Sequence, residues 1–77
     1  MPIQSQEPKR RYRNNLRMAR ILGRFSQEDL AASIEVDPAI IGRIERGIIK
    51  GTSEQRRQLA QILGMPEDHL FAEEGGK

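Results

Sequence analysis

The segment from Ser26 to Gly47, SQEDLAASIEVDPAIIGRIERG, contains two helix patterns and one turn within 22 residues, which leaves room only for a helix pair. Ser26 is a good N-cap, and the acidic residues behind it complement the positive end of a helix dipole. Asp37 and Pro38 begin the second helix in the same way, and Gly47 is the residue expected after its end. Apolar residues at helical spacing give each helix one inward stripe: Leu30, Ala31 and Ile34, then Ile41, Ile44 and Ile48.

A further helix is predicted on the N-terminal side, from about Arg11 to Leu22. Its inward face is predicted from apolar residues spaced by four, three and three: Tyr12, Leu16, Ala19 and Leu22. We expect Gly23 to end it with a positive φ and Phe25 to fold back on Leu22 and Ile21.

Two helices are predicted after the pair. Thr52 and Gln55 fit a capping box at the start of a fourth helix, which runs to Leu63 and ends at Gly64. Arg56, Arg57 and Gln58 are expected mainly outward, and a short helix covers 67–71. The expected core is Leu16, Leu22, Phe25, Leu30, Ala31, Ile34, Val36, Ile41, Ile44, Ile48, Leu59, Ile62, Leu63, Leu70 and Phe71. The predicted fold class is all-α, a compact five-helix domain.

Composition removes several classes of function. The 77 residues include no cysteine and a single histidine, His69, which is expected at the surface, so neither a disulfide framework nor a metal cluster is predicted. No apolar run reaches membrane-spanning length, and the N-terminus lacks the apolar core of a signal peptide. No nucleophile with a histidine to serve it and no phosphate-binding glycine loop is present. We therefore expect a cytoplasmic protein, not an enzyme, without cofactor or metal.

Positive charge is concentrated at the N-terminus. Residues 1–25 carry seven basic residues and one glutamate, whereas 26–47 carry two arginines and five acidic residues. Such a block is either a solvated arm or an arm that binds phosphates. We expect a flexible basic arm over 1–10, a domain over 11–72 and a mobile tail over 73–77.

The helix pair and its surroundings resemble the phage-repressor-like (Xre/Cro type) helix-turn-helix DNA-binding domains. The resemblance rests on S-Q-E-x-L-A followed by I-x-R-I-E-R-G, on the upstream L-R-M-A-R at 16–20, and on L-A-Q-I-L-G at 59–64 with Leu70 and Phe71. It implies a repressor-like fold in which helices two and three form the helix-turn-helix. It also implies that Arg20 pairs with Glu45, the alternative being two exposed charges that never meet.

Base reading is expected from the outward face of the third helix, residues 38–46. If Ile41, Ile44 and Ile48 face inward, then Ala39, Arg43 and Arg46 lie opposite them, with Ile40 and Gly42 on the flanks. Arg43 could bind guanine O6 and N7 together, or it could only face solvent and serve the helix dipole. The first two positions, which in the family often carry polar readers, are Pro38 and Ala39, so Ala39 and Ile40 could touch only a thymine methyl. The base-reading candidates are Arg43, Ala39, Ile40 and Gly42.

Phosphate contacts are expected around that helix. The resemblance implies that Gln27 donates to the DNA backbone and that Lys50, after the third helix, lies near a phosphate. The remaining candidates are Arg24, Arg46, Lys9, Arg10, Arg11 and Arg13; for each of them the alternative is simple solubility.

Two functions are compatible with these features. The first is a sequence-specific, DNA-binding transcriptional regulator of the small repressor kind, which acts on the nucleoid and binds double-stranded DNA as a dimer on an inverted repeat. The second is a protein-interaction module, such as an antitoxin or a subunit of a larger regulator, in which Pro38, Ala39 and Ile40 meet a partner protein. The basic arm favours the first, and the scarcity of polar readers favours the second.

Overall fold

The computed structural model describes residues 12–72, which form five helices and no strand within that range. The helices are α1 (Leu16–Leu22), α2 (Gln27–Ser33), α3 (Pro38–Glu45), α4 (Ser53–Leu63) and α5 (Glu67–Leu70). This confirms the predicted all-α, five-helix class. The expected arm over 1–10, Arg11 and the expected tail over 73–77 lie outside the described residues.

One apolar core connects all five helices. Its buried members are Leu16, Ala19, Leu30, Ala31, Ile34, Ile41, Ile44, Leu59, Ala60 and Leu70, and the large ones among them were predicted. Half-buried residues, including Phe25, Val36, Ile62, Leu63 and Phe71, pack around them. Helices of seven or eight residues are unstable alone, so this shared core is what makes α1, α2 and α3 helical.

The start of α1 differs from the prediction. The helix begins at Leu16 rather than near Arg11, and Tyr12 precedes it, with its amide bonded to the Gly47 carbonyl at 3.0 Å. The Asn14 side chain explains why α1 begins later in the chain than predicted. Its Oδ1 accepts from the Leu16 amide at 2.9 Å, while its Nδ2 donates to the Ile44 carbonyl at 2.8 Å. Asn14 therefore supports the first turn of α1 and the last turn of α3 together.

The end of α1 also differs. Leu22, predicted in the core, is 77% exposed, and Ile21 is 53% exposed. At 100° per residue, Gly23 and not Leu22 lies on the same side of the helix as Leu16. A helix that buries Leu16 and Ala19 therefore leaves Leu22 off its buried face. The Phe25 ring lies against Gly23, where an added Cβ would be 3.1 Å from the ring.

Four helices end with the same pair of backbone bonds. The amides of Phe25, Val36, Ile48 and Met65 each reach back five residues, and in each case the preceding amide reaches back three. This is the Schellman arrangement, which needs a left-handed residue just after the helix. Gly47 and Gly64 were predicted to end α3 and α4, and they have positive φ. Arg24 (φ 63°) and Glu35 (φ 60°) fill the role after α1 and α2, so the expected positive φ at Gly23 is wrong.

Helix starts follow the sequence signals. Ser26, Asp37 and Thr52 each accept a backbone amide through the side chain, and Thr52 and Gln55 form the predicted capping box. Ser26 forms a second box with Asp29.

Three further expectations are corrected between α3 and α5. Both isoleucines after α3 are half-buried, and Ile49 rather than Ile48 packs against the core. Arg56 does not face outward, since its guanidinium donates to the Gly51 carbonyl and lies 3.7 Å from Glu67. The last helix ends at Leu70, one residue early, while His69 is exposed as expected.

Asn14→Ala should lower the free energy of unfolding by about 1–3 kcal/mol, because the Ile44 carbonyl and the Leu16 amide both lose a partner. Asn14→Asp is the matched variant: it keeps the acceptor for the Leu16 amide and loses the donor for Ile44. Urea denaturation followed by circular dichroism should place Asn14→Asp below wild type. Wild-type stability in both variants would contradict the double role.

The Ser26 amide donates to the Asp29 carboxylate, and the Ser26 hydroxyl adds a second hydrogen bond; both lower the pKa of Asp29 below its ordinary 3.8. A lowered folded-state pKa means that this contribution to stability is complete above the ordinary value and is lost as pH falls through the folded one. Asp29→Asn should therefore lower Tm near neutral pH, and its difference from wild type should shrink in acid. Glu28→Gln, a carboxylate of the same turn outside the capping box, is the control. A difference that does not change with pH would rule out the ionised capping box.

Candidate nucleic-acid interface

The exposed face of α3 carries side chains that no other helix covers. Ala39, Arg43 and Arg46 are exposed, as expected for residues opposite Ile41 and Ile44, which are fully buried. Pro38 is also exposed, and its N-cap Asp37 accepts from the Ala39 amide at 3.0 Å. The first turn of α3 therefore presents small apolar groups and one capping carboxylate.

Arg43 lies in the middle of this face. Among residues 12–72, its guanidinium has no hydrogen-bond or ion-pair partner, although its carbonyl accepts the amide of Ile48 at 2.9 Å. The backbone at Arg43 is thus fixed by the end of the helix while its side chain is uncommitted. Such an arginine can bind a planar pair of acceptors without first breaking a bond.

Gly42 and Ile40, which were predicted on the flanks of this face, are less exposed than Ala39 and Arg43. Gly42 is buried, and a Cβ there would lie 3.5 Å from Gln27 Nε2 and 3.3 Å from Arg46 Nη1. The side chains of Gln27 and Arg46 therefore close over the glycine. Ile40 is half-buried and packs against the core, so Ala39 and Arg43 are the expected base-reading residues that are openly exposed.

The expected pair between Arg20 and Glu45 is present. Arg20 Nε and Glu45 Oε2 are in direct contact, and Arg20 Nη2 lies 3.4 Å from Glu45 Oε1, so the guanidinium approaches the carboxylate with two nitrogens. Arg20 Nη1 also donates to the Phe25 carbonyl at 2.9 Å. The Glu45 side chain is only 3% exposed. The pair thus joins α1 and the loop after it to the last turn of α3.

Gln27 completes this cluster, a contact that was not predicted. Its Nε2 donates to Glu45 Oε1 at 3.1 Å, so one carboxylate accepts from α1 and α2 together. The sequence gives only a weak signal for this contact. Gly42, which has no side chain, and Glu45 lie three residues apart on α3, and this spacing leaves an open strip on α3 beside the start of α2. The bond to Glu45 fixes the direction of the Gln27 carboxamide and still leaves that group one N–H and its oxygen.

Other residues expected to contact phosphates lie in the segments that flank α1 and α3. Arg24 and Lys50 are exposed, in the loops after α1 and after α3, and Arg13 is exposed ahead of α1. Lys9, Arg10 and Arg11 lie outside the described residues. Within residues 12–72 there is also no group of three acidic or histidine side chains that could hold a metal ion.

Comparison with known protein families gives a match. A helix-turn-helix family model matches residues 16–70, which is more than half of the chain and includes all five helices. Among curated proteins, none matches the chain. In the described part of the chain, no helix combines the length and apolar character needed to cross a bilayer.

Arg20→Ala should lower the free energy of unfolding by about 3 kcal/mol, because it leaves the nearly buried Glu45 carboxylate without its cation. Replacing both partners by Arg20→Met and Glu45→Leu should cost less than the single change. Chemical denaturation of the purified variants measures both.

Arg57→Ala is the matched control for that experiment. Arg57 pairs with Glu54, but the two side chains are 57% and 59% exposed, so its loss should change stability by less than about 1 kcal/mol. If Arg20→Ala and Arg57→Ala changed the free energy of unfolding equally, the pair with Glu45 would stabilise the fold no more than an exposed pair does.

Proposed function

Because the chain belongs to the phage-repressor-like (Xre/Cro type) helix-turn-helix family, we propose that it is a sequence-specific transcriptional regulator of the small repressor type, which places α3 in the major groove of DNA. The observation that carries the proposal is the exposed guanidinium of Arg43, which has no hydrogen-bond or ion-pair partner among residues 12–72, on a helix whose backbone is held at both ends. An arginine presented in this way can bind guanine O6 and N7 together. Such a protein acts at the nucleoid, in the cytoplasm.

Phosphate contacts on both sides of α3 would fix its position in the groove. Gln27 at the start of α2 is positioned by Glu45, and Lys50 follows α3 in an exposed loop. Arg24, Arg46 and Arg13 would add positive charge near neighbouring phosphates. Lys9, Arg10 and Arg11, which lie outside the described residues, are proposed as further phosphate contacts. Neutralising five or six phosphates gives a salt slope of about −5 on logarithmic axes.

A two-fold symmetric dimer on an inverted repeat is the assembly that we propose for this function. One α3 reads only a few base pairs, and here its first turn supplies no side-chain hydrogen bond. A second copy about one helical turn away doubles the length of the site and matches the symmetry of a palindrome.

The second candidate function is a protein-interaction module, such as an antitoxin or a subunit of a larger regulator. The start of α3 gives it limited support, since Ile40 packs partly on the protein's own core. The exposed large apolar side chains of the described region lie on α1 instead, at Met18, Ile21 and Leu22. A partner protein that replaces DNA would therefore be expected to cover α1.

Arg43→Ala should remove discrimination at the base pair that Arg43 contacts, a loss of about 1–3 kcal/mol for the preferred site. Arg43→Lys is the informative companion, because it keeps the charge and loses the two-nitrogen fork. Binding of a random duplex pool, followed by sequencing of the retained DNA, should give a palindrome for wild type and a weaker preference for both variants.

The control is Arg57→Ala, which removes one positive charge outside the proposed interface and should leave the selected sequence unchanged. Weak binding by wild type at low salt, with no selected sequence, would remove DNA as the ligand of α3. An unchanged site preference in Arg43→Ala would remove only the assignment of Arg43 as a base reader.

A further inference from the structure

The outer face of α1 carries a group of large apolar side chains that the rest of the described fold does not cover. Within residues 12–72, the exposed large apolar side chains are Met18, Ile21 and Leu22. They stand at positions i, i+3 and i+4 of one helix, so they are neighbours and form one surface, which we call the α1 patch. Single exposed apolar residues are normal, whereas a contiguous group bordered by polar residues is typical of an interaction site.

The α1 patch has the shape of a ridge between two hollows. The first hollow, of about 470 Å³, lies between α1 and Glu45 at the end of α3. The second, of about 290 Å³, lies between α1 and the side chains of Met65 and His69. Met18 and Leu22 line both hollows and form the ridge between them. A ridge of side chains at i and i+4 packs into the groove between two rows of side chains on another helix, so the shape favours a helical occupant.

The exposed charge in these hollows is positive. Arg17 lines the first hollow, is exposed, and has no hydrogen-bond or ion-pair partner among residues 12–72. Glu45 lines the same hollow, but its side chain is only 3% exposed and is bonded to Arg20 and Gln27. Among the described residues that line the two hollows, no other is acidic. An occupant with carboxylates beside its apolar side chains would therefore complement the patch.

This chain does not itself contain a suitable occupant. Residues 1–11 carry three basic residues against one glutamate, and residues 73–77 contain no large apolar side chain. A second copy is disfavoured by charge. Parallel α1 helices would bring Arg17 of one copy toward Arg17 of the other, and antiparallel ones would bring it toward Arg24, which is also exposed. The occupant is therefore expected to come from a different protein.

We propose that the α1 patch binds an acidic amphipathic helix of a partner protein. The apolar side chains of that helix cover Met18, Ile21 and Leu22, and its carboxylates approach Arg17. Helices that bind in this way use apolar anchors at i, i+3, i+4 and i+7. The residues that line the two hollows include none of those proposed to contact DNA. The proposal therefore does not rest on the proposed function, and the protein would bind partner and duplex at the same time.

A display library of amphipathic helical peptides tests this proposal, with the full 77-residue chain as the immobilised target. Leucine is fixed at i, i+3, i+4 and i+7, and the positions beside the leucines vary among glutamate, glutamine and lysine. Wild type should enrich glutamate, because carboxylates are attracted to Arg17. Arg17→Glu should shift the enrichment to lysine. Arg57→Glu, the same change of charge at an exposed residue outside the patch, should keep the preference for glutamate.

Titration of a selected peptide, followed by amide chemical shifts, locates its site. Amide signals of residues 15–22 should change in wild type. Met18→Gln combined with Leu22→Gln should weaken peptide binding by about tenfold or more, because two apolar contacts are lost. Both side chains are exposed in the free protein, so this double variant should keep the Tm and the DNA binding of wild type.

The same measurements can overturn the proposal. Selection without enrichment of glutamate, or peptide binding that is unchanged in the double variant, would contradict it. Self-association of wild type that the double variant abolishes would assign the patch to a second copy and so would also contradict it, as would displacement of the peptide by duplex DNA. If wild type selects glutamate-rich peptides but binds no DNA, the α1 patch is supported and the proposed function alone fails.

Discussion

The Glu45 carboxylate is the point on which the arrangement of the first three helices depends. It accepts from Arg20 on α1 and from Gln27 on α2, and it belongs to the last turn of α3. None of these helices exceeds eight residues, so each needs tertiary contacts to persist. The apolar core draws them together without specifying direction, whereas two directed bonds to one nearly buried carboxylate orient α1 and α2 relative to the end of α3.

Local signals predicted the helix-turn-helix well. Ser26, Asp37 and Thr52 cap where the sequence indicated, because each needs only the amides of the next three residues. The turns after α1 and α2 were harder to predict, since Arg24 and Glu35 adopt the left-handed conformation that usually marks glycine. Each costs about 1 kcal/mol or more, and what offsets the cost is tertiary: Phe25 and Val36, the residues that follow, pack against the core.

In the candidate interface, too, the features set by local sequence were predicted and those set by tertiary contacts were not. The exposure of Ala39, Arg43 and Arg46 follows from helical periodicity and was predicted. The covering of Gly42 by Gln27 depends on how two helices cross, and Asn14 meets Ile44 across thirty positions of sequence. Periodicity contains no information on either contact. Leu22 was placed in the core by a related error. The spacing pattern was counted from Tyr12, which lies before the helix, and the rotation per residue along that pattern carried it away from the face that α1 buries.

The composition of α3 constrains how the proposed regulator would achieve specificity. With Pro38 and Ala39 in the first turn, direct readout reduces to the fork of Arg43 and to apolar contact with thymine methyl groups. The Asp37 carboxylate would face the phosphates, but the α3 amides that it caps offset part of its charge. Affinity must therefore come from cations outside α3, and specificity from Arg43, from the spacing of two copies and from the ease with which the DNA bends to meet both. The proposed dimer would therefore tolerate changes in most bases of a half-site and would be strict about the distance between half-sites.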